Sequence, residues 1–230
     1  MARDLSSGLG AKCFSEAKAI AAFGGRLAFA VSCGRDSAVM VDLMSRILPD
    51  ISQHRFFFWS YYPKVLPYKA RYLDVLEKRY GISIDVHLDP QRYKGKQANF
   101  VREYLEKNGC SLALFGYHMD DSLQRRGMLK ALSDGIDYAR KWAYPLRSFT
   151  KRTVRGYVNS RHVPLSLEYQ LGLKHDFHEH RGPAAHFLRH YVGEEDYRLA
   201  VEQEPAVEID YVRTVNDPEF FRKLGGENGQ

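Results

Sequence analysis

The chain has 230 residues, of which 44% are hydrophobic and 27% charged, and its formal net charge is +6. This length and apolar content allow a full core and favour one α/β domain with an appendage over two domains. No stretch approaches the roughly 18 apolar residues of a membrane span, so we expect neither a membrane protein nor a membrane partner.

The first residues and the cysteines indicate a compartment. The start, MARDLSSGLGAKCF, lacks the apolar core of a secretion signal. The three cysteines, Cys13, Cys33 and Cys110, are odd in number and widely spaced, which suits a reducing compartment and forms no zinc or CxxC pattern. We therefore expect a cytoplasmic protein. Its basic surface suits a nucleotide as readily as it suits nucleic acid, and charge alone does not choose between them.

The first part of the chain predicts a helix, a buried strand, a sharp turn and a second helix. Residues 14–23 have an amphipathic pattern, and residues 26–31 form a short apolar run typical of a central parallel strand. From Asp36 onward, apolar residues recur at helical spacing as far as Ile47. The turn between strand and helix, residues 32–37, has the sequence SCGRDS.

This turn has the composition of an anion site. A tight turn into a helix aims backbone N–H groups and the positive end of the helix dipole at one spot, where a phosphate is favoured. Gly34 allows close approach, Arg35 adds charge, and Ser32 and Ser37 add hydroxyl donors. Asp36 has three open interpretations: a helix cap, a group that orients a serine, or a group that holds a metal beside phosphates.

Three further strands alternate with helices along the chain. The strands are predicted at 54–60, 82–88 and 111–117, and helices at 68–80 and 98–107. This alternation predicts a doubly wound, mainly parallel α/β sheet, with the ligand over the carboxyl ends of the strands. The loops that matter are then those after Val31, Phe58 and Phe115.

The fourth strand leads into the sequence GYHMDDSLQRRG. We expect a helix from about Asp120, with Asp121 and Ser122 in its first turn and Arg125 and Arg126 at the rim of the same cleft. A later helix is predicted to be capped by Thr150 and to end before the proline at 164.

These segments together resemble a known family. SCGRDS resembles the SGGxDS pyrophosphate loop of adenine nucleotide alpha-hydrolase-like enzymes, with Cys33 in place of the usual first glycine. The order of that loop, a proline-led helix closing at RYGI, GYHMDDSLQRR and YPLRSFTKRTVRGYVNSRHVP resembles the phosphoadenosine phosphosulfate (PAPS) reductase family over about residues 20–168. The positions that fit the last segment are Pro145, Leu146, Phe149, Thr150, Val154, Tyr157 and Pro164.

The resemblance implies a fold, a ligand and a division of the chain. It implies a Rossmann-like (HUP-like) fold with helices on both faces of the sheet and a mostly helical C-terminal extension. Residues 1–168 are expected to bind an adenine nucleotide, either ATP or one such as PAPS, and residues 169–230 to serve substrate binding or assembly. The acceptor substrate is unknown, and nucleic acid and a second copy of the chain stay open as further partners.

The resemblance also implies site residues, and Mg²⁺ as the ion that bridges the phosphates. The nucleotide-binding set is Ser32, Cys33, Gly34, Arg35, Asp36, Ser37, Trp59, Gly116 and His118. The catalytic set is Asp36, Arg125 and Arg126. In this scheme Asp36 orients the metal or its water, the two arginines offset charge at the α-phosphate, and no set of protein metal ligands is predicted.

The chain departs from the reductase pattern in two places. Reductases of this family use a cysteine near the carboxyl end, whereas no cysteine follows Cys110 in this sequence. The second strand ends in FWSYYP, where reductases have an acidic-Thr-Gly turn; this offers Trp59, Tyr61 and Tyr62 for base stacking or for packing under the loop. Three functions stay open: ATP-dependent adenylyl transfer, sulfonucleotide reduction, and a catalytically silent module that senses nucleotide or associates with nucleic acid.

The last third of the chain gives weaker signals. Histidines are dense between His175 and His190, without a spacing that completes a known metal set. Surface or phosphate-facing histidines are the alternative to a metal site there. A helix is predicted at 193–204, followed by a short strand or an arm at 205–220.

Overall fold

The structure is a computed structural model, and it describes residues 14–60, 62–89, 97–170 and 187–215. Tyr61 and four of the clustered histidines, His175, His178, His180 and His186, lie outside these ranges. In the described part, no helix combines the length and the apolar character needed to cross a membrane.

The chain forms two compact units, and the first holds the sheet. It comprises Met1–Tyr61 and Leu73–Pro164, and the second comprises Tyr62–Tyr72 and Leu165–Gln230. The strands, in chain order, are β1 (Arg26–Ala30), β2 (Arg55–Ser60), β3 (Ile84–Leu88), β4 (Cys110–Leu114), β5 (Ile136–Asp137) and β6 (Trp142–Ala143). The helices of this unit are α1 (Ser15–Ala22), α2 (Arg35–Ile47), the later part of α3 (Pro67–Tyr80), α4 (Gln97–Asn108), α5 (Leu123–Lys130) and α6 (Lys151–Arg161).

The sheet has the order β3-β2-β1-β4-β6-β5 and is parallel except for β5. Its central strand β1 is buried on both faces, since Leu27, Ala28 and Phe29 are each at most 2% exposed. Phe29 stacks on Phe56 with ring centroids 4.6 Å apart, while Ala28 packs into a cluster with residues of α4. The predicted doubly wound, mainly parallel α/β fold is therefore confirmed.

A buried carboxylate joins three helices of this unit. Asp42 of α2 accepts hydrogen bonds from Arg46 Nε at 2.8 Å, from the Tyr80 hydroxyl at 3.1 Å and from the Tyr157 hydroxyl at 2.9 Å. Burial, followed by the charge of Asp42, raises the pKa of both phenols well above the ordinary value. The neutral phenols thus serve as permanent donors, which locks α3 and α6 onto α2.

The second unit is helical in its described part. Besides the first residues of α3 it contains α7 (Leu167–Gln170), a π-helical turn at Leu188–Val192, α8 (Glu194–Gln203) and α9 (Ala206–Val215). A second core lies within it, made by Leu66, Tyr68, Phe187, Leu188, Tyr197, Ala200 and Val207. Asp196 of α8 accepts a hydrogen bond from the Tyr68 backbone N–H at 2.9 Å, which ties the start of α3 to this core.

The structure corrects two sequence expectations and adds two strands that were not predicted. The segment after residue 205 was expected to be a short strand or an arm, yet α9 occupies it as far as Val215. Helix α5 begins at Leu123, because Ser122 caps it by accepting the Arg125 N–H; Asp120 and Asp121 therefore precede the helix. The two-residue strands β5 and β6 carry too little periodicity to be predicted.

Candidate functional site

The start of α2 lies at the carboxyl end of β1. Gly34 is the N-cap residue and makes no side-chain capping bond, so Asp36 lies in the first turn and is not the cap. Helical N–H groups of a first turn have no partner within their own helix. The structure thus places the positive end of the α2 dipole over the carboxyl edge of the sheet.

The two serines of the turn brace it from inside. Ser37 is buried, with 5% of its surface exposed. Its hydroxyl faces two carbonyl oxygens as donor, that of Ser32 at 2.7 Å and that of Gly34 at 2.8 Å. The Ser32 hydroxyl in turn accepts the Gly34 N–H at 3.2 Å. Both hydroxyls therefore fix the curvature of the turn in this state, in addition to the donor role predicted for them.

Gly116, just after β4, closes on this turn. A Cβ atom added to Gly116 would lie 2.8 Å from the carbonyl oxygen of Asp36 and 2.9 Å from the Ser37 nitrogen. Real Cβ atoms do not approach backbone atoms so closely, so only glycine fits here. The predicted proximity of Gly116 to the turn is observed, and it brings the loop after β4 beside the first turn of α2.

That loop carries His118 and Asp121 to Asp36. The fully buried His118 ring places Nε2 at 3.0 Å from Asp121 Oδ1 and 3.6 Å from Asp36 Oδ2. Burial opposes the charge on Asp36, but the His118 imidazole and the Arg35 guanidinium outweigh it, so the pKa of Asp36 lies below its ordinary value. Asp36 is therefore a carboxylate at neutral pH.

The two predicted arginines have different surroundings. Arg125 donates from Nη1 to Asp121 Oδ2 at 2.8 Å, and its guanidinium carbon lies 3.9 Å from the centre of the Tyr117 ring. Arg126 donates to the Met119 carbonyl oxygen at 3.2 Å and to Asp120 at 3.4 Å. Arg125 is thus held beside Asp121. Arg126 braces the loop between β4 and α5, which carries His118 and Asp121.

Two other predicted residues are more enclosed. Cys33 is 6% exposed within the turn. The Trp59 indole, on β2, stacks on Phe100 of α4 with centroids 6.1 Å apart and packs against the core cluster that includes α4. The structure therefore supports the packing alternative for Trp59, and base stacking by this residue stays a prediction.

Asp121 is the site residue that the sequence did not single out. The sequence places it within a helix, whereas in the structure it precedes α5. Its carboxylate accepts a hydrogen bond from the His118 backbone N–H at 3.1 Å. An acid three residues after a histidine, at the end of a strand that neighbours the SCGRDS strand, was the available signal. Asp36, His118 and Asp121 form a group whose three donor atoms all lie within 4.8 Å of one another.

The comparisons with known proteins agree with this architecture. A family model described as "Phosphoadenosine phosphosulfate reductase domain" matches residues 26–228. The structure of Candida glabrata FMN adenylyltransferase is 13% identical with a TM-score of 0.57, covering 89% of this chain and 79% of that one. The same enzyme with FAD and inorganic pyrophosphate gives 13% identity and a TM-score of 0.55, covering 94% and 86%.

A structure of phosphoadenylyl-sulfate reductase from Candida auris is also similar, with 11% identity, a TM-score of 0.48, and coverage of 71% of this chain and 86% of that one. No curated protein matches the chain. At such identities the structural likeness shows the fold alone.

Proposed function

This chain belongs to the phosphoadenosine phosphosulfate reductase domain family, and from that premise we propose that it binds ATP and transfers the adenylyl group to an acceptor. The acceptor oxygen attacks the α-phosphorus, the bond from that phosphorus to the bridging oxygen breaks, and pyrophosphate leaves. In this proposal residues 1–168 bind the nucleotide, and residues 169–230 serve the acceptor or assembly.

One observation carries the proposal: the start of α2, with no side-chain cap, meets Gly116 at the carboxyl edge of the sheet. The N–H groups of the first turn and the helix dipole favour the phosphates of a nucleotide there. The missing Cβ of Gly116 keeps the two backbones in contact. This geometry supports the pyrophosphate of ATP as the ligand of residues 32–37, with the Arg35 side chain adding positive charge.

Arg125 is proposed to offset the charge that develops at the α-phosphate. Its guanidinium is positioned twice, by the Asp121 carboxylate and by the Tyr117 ring, and such fixed donors lower the reorganisation needed in the transition state. Arg126 is proposed to assist from the loop that it braces. The proposed role of Trp59 is contact with the adenine base.

The group Asp36, His118 and Asp121 fits a divalent cation, because two carboxylate oxygens and one imidazole nitrogen lie within 4.8 Å of one another. In the proposed reaction Mg²⁺ that enters with ATP would be held by the leaving phosphates, with Asp36 orienting the water on that ion. A cation so placed neutralises charge on the departing pyrophosphate.

Family membership favours sulfonucleotide reduction as the second candidate function. That reaction needs a thiolate that attacks sulfur. Residues 111–230 contain no cysteine, and both described cysteines, Cys33 and Cys110, are buried. Burial also raises the pKa of the Cys110 thiol. We therefore place reduction behind adenylyl transfer, and a catalytically silent module that senses nucleotide or associates with nucleic acid third.

The experiment that tests these functions follows two labels. The protein is incubated with Mg²⁺ and ATP labelled at the α- or the γ-phosphate, with and without a cell extract as the source of acceptor. Adenylyl transfer moves the α-label to a new product and the γ-label to pyrophosphate. A parallel incubation with PAPS and a thiol donor is assayed for sulfite. Sulfite would establish reduction instead, and tight ATP binding without any product would establish the silent module.

A further inference from the structure

Three side chains near the start of α2 present ligand atoms to one another. Asp36 Oδ2 and Asp121 Oδ1 lie 3.6 Å and 3.0 Å from His118 Nε2, and the three donor atoms fall within 4.8 Å of one another. Two carboxylates and one imidazole on a single point form a mixed oxygen and nitrogen donor set.

Each carboxylate is oriented by the donors around it. Asp121 Oδ2 accepts hydrogen bonds from the His118 backbone N–H at 3.1 Å and from Arg125 Nη1 at 2.8 Å. Asp36 Oδ1 accepts one from Arg35 Nε at 3.3 Å. The other oxygen of each carboxylate is left facing the His118 ring. Outer donors that fix a carboxylate in this way are typical of metal-binding sites.

The His118 ring supplies the second, independent observation. It is 0% exposed, and in the described part of the chain neither of its ring nitrogens makes a hydrogen bond of acceptable geometry. Burying a polar nitrogen without such a bond is unfavourable, and native proteins nearly always satisfy these groups. Nε2, aimed between the two carboxylates, would be satisfied by a bound cation.

We propose that Asp36, His118 and Asp121 form a protein-held site for a first-row transition divalent cation, which it binds in preference to Mg²⁺. Imidazole is a good ligand for such cations, whereas Mg²⁺ prefers oxygen ligands in a strict octahedron. Three protein ligands leave positions for water or a phosphate oxygen. The role of the cation in catalysis rests on the proposed function, but its binding does not.

The test uses the full chain, stripped with EDTA and free of nucleotide. Co²⁺ is titrated while its visible absorption is followed, and Mn²⁺ is titrated by electron paramagnetic resonance, each with Mg²⁺ as competitor. We expect one site that Mg²⁺ displaces only in large excess. His118→Asn and Asp121→Asn are each expected to weaken Co²⁺ binding by at least about tenfold, and His118→Cys to add a thiolate-to-cobalt absorption band.

Two controls separate this site from other histidines. A variant with His175, His178, His180 and His186 all changed to Gln should keep the Co²⁺ site. His162→Asn, at an exposed helix end whose left-handed backbone (φ +50°) suits Asn, should keep it as well. Circular dichroism and urea denaturation of each variant check its folding, and if His118→Asn fails to fold, Asp121→Asn carries the comparison.

Several outcomes would overturn the proposal. Unchanged Co²⁺ binding in both His118→Asn and Asp121→Asn would do so, as would Mg²⁺ competing as well as Co²⁺. No Co²⁺ binding together with marked destabilisation of both variants would show that the three side chains stabilise the fold and bind no cation. ATP affinity is measured on the same protein with Mg²⁺ present and Co²⁺ absent: ATP binding without Co²⁺ binding contradicts only this inference, and Co²⁺ binding without ATP binding contradicts only the proposed function.

Discussion

Gly116 and Asp36 touch backbone to backbone: a Cβ on Gly116 would stand 2.8 Å from the Asp36 carbonyl oxygen. Gly116 follows strand β4, and Asp36 lies in the first turn of α2. Because their backbones are in contact, the end of β4 and the start of α2 must move together. The position of the turn at residues 32–37 relative to the His118 loop depends on this contact.

Gly116→Ala should therefore impair the site more than it impairs the fold. The added methyl group must push the α2 turn from the loop after β4, so we expect ATP binding to weaken at least about tenfold, as for the loss of one charge-assisted hydrogen bond. Isothermal titration calorimetry measures the affinity. Gly156→Ala, in α6 with nothing within 4 Å of the new Cβ, is the matched control and should bind ATP normally with up to about 1 kcal/mol more stability. Equal ATP affinity in the two variants would contradict the assigned role of the contact.

Arg125→Ala should weaken ATP binding about 10-fold or more while the chain stays folded, because a charge-assisted hydrogen bond contributes roughly 1.5–3 kcal/mol. A thermal-shift titration with ATP gives the affinity, since ligand binding raises the melting temperature. Asp36→Ala is expected to weaken ATP binding in the presence of Mg²⁺, because it removes the carboxylate proposed to orient the metal or its water. Lys107→Ala is the control, because it removes the same charge in the last turn of α4, near the amino end of β4. If ATP raises the melting temperature equally in the parent protein and in all three variants, Arg125 and Asp36 do not belong to the ATP site.

Tyr157→Phe should destabilise the first unit. The hydroxyl of this fully buried residue donates to the Asp42 carboxylate at 2.9 Å, and loss of a hydrogen bond to a charged group costs about 1.5–3 kcal/mol. Urea denaturation measures the free energy of unfolding. Tyr138→Phe removes the hydroxyl of a 62% exposed tyrosine and should stay within about 0.5 kcal/mol of the parent. A similar loss of unfolding free energy in both variants would show that the buried hydrogen bond from Tyr157 to Asp42 stabilises the protein no more than an exposed tyrosine hydroxyl does.

The stability of the first unit should fall at alkaline pH for the same reason. The folded-state pKa of Tyr80 and Tyr157 is raised by burial and by Asp42, so above about pH 10 the unfolded chain loses phenolic protons that the folded chain keeps. Stability is then fully present below that pH and declines as pH rises. The double variant Tyr80→Phe, Tyr157→Phe should decline less steeply between pH 9 and 11, and an unchanged slope would contradict the shift.

His54 should give the opposite dependence on the acid side. Its Nδ1 accepts the Leu27 N–H at 3.1 Å, and burial, assisted by Arg26, lowers its pKa. As pH falls below about 6.5, the unfolded chain takes up a proton that the folded chain resists, so stability drops. His54→Asn keeps an acceptor without a titrating ring and should flatten the decline between pH 7 and 5. His162→Asn, at an exposed position, should leave the decline as it is; a parallel change in both would assign it to general charge.

The sequence predicted the parts of the site whose signals are local. A buried strand, SCGRDS and an amphipathic helix predict the turn at 32–37, and the alternation of elements predicts the parallel sheet. Gly116 followed from its place directly after the fourth predicted strand and from the family resemblance, and the structure adds that β1 and β4 are neighbours. The role of Asp121 did not follow, because its carboxylate faces His118 only through a loop conformation in which Ser122 caps α5 and the helix begins at Leu123 and not near Asp120.

The errors in the last part of the chain have a different origin. The β-branched residues of AVEIDYVRTV suggest a strand, yet α9 forms because Val207 is buried in the core of the second unit, which the local pattern does not record. Strands β5 and β6 have two residues each, too few for any period to appear.

The order of the sheet also bears on how the protein matures. Although β1 lies beside β4, the turn after β1 and the loop after β4 come from distant parts of the polypeptide, with β2, β3 and three helices between them in the chain. During synthesis the turn must wait for the loop to leave the ribosome, and a nascent chain arrested before β4 would expose one edge of β1. In such a fragment the turn at 32–37 lacks its contact with Gly116, so the proposed nucleotide site can form only after β4 has paired with β1.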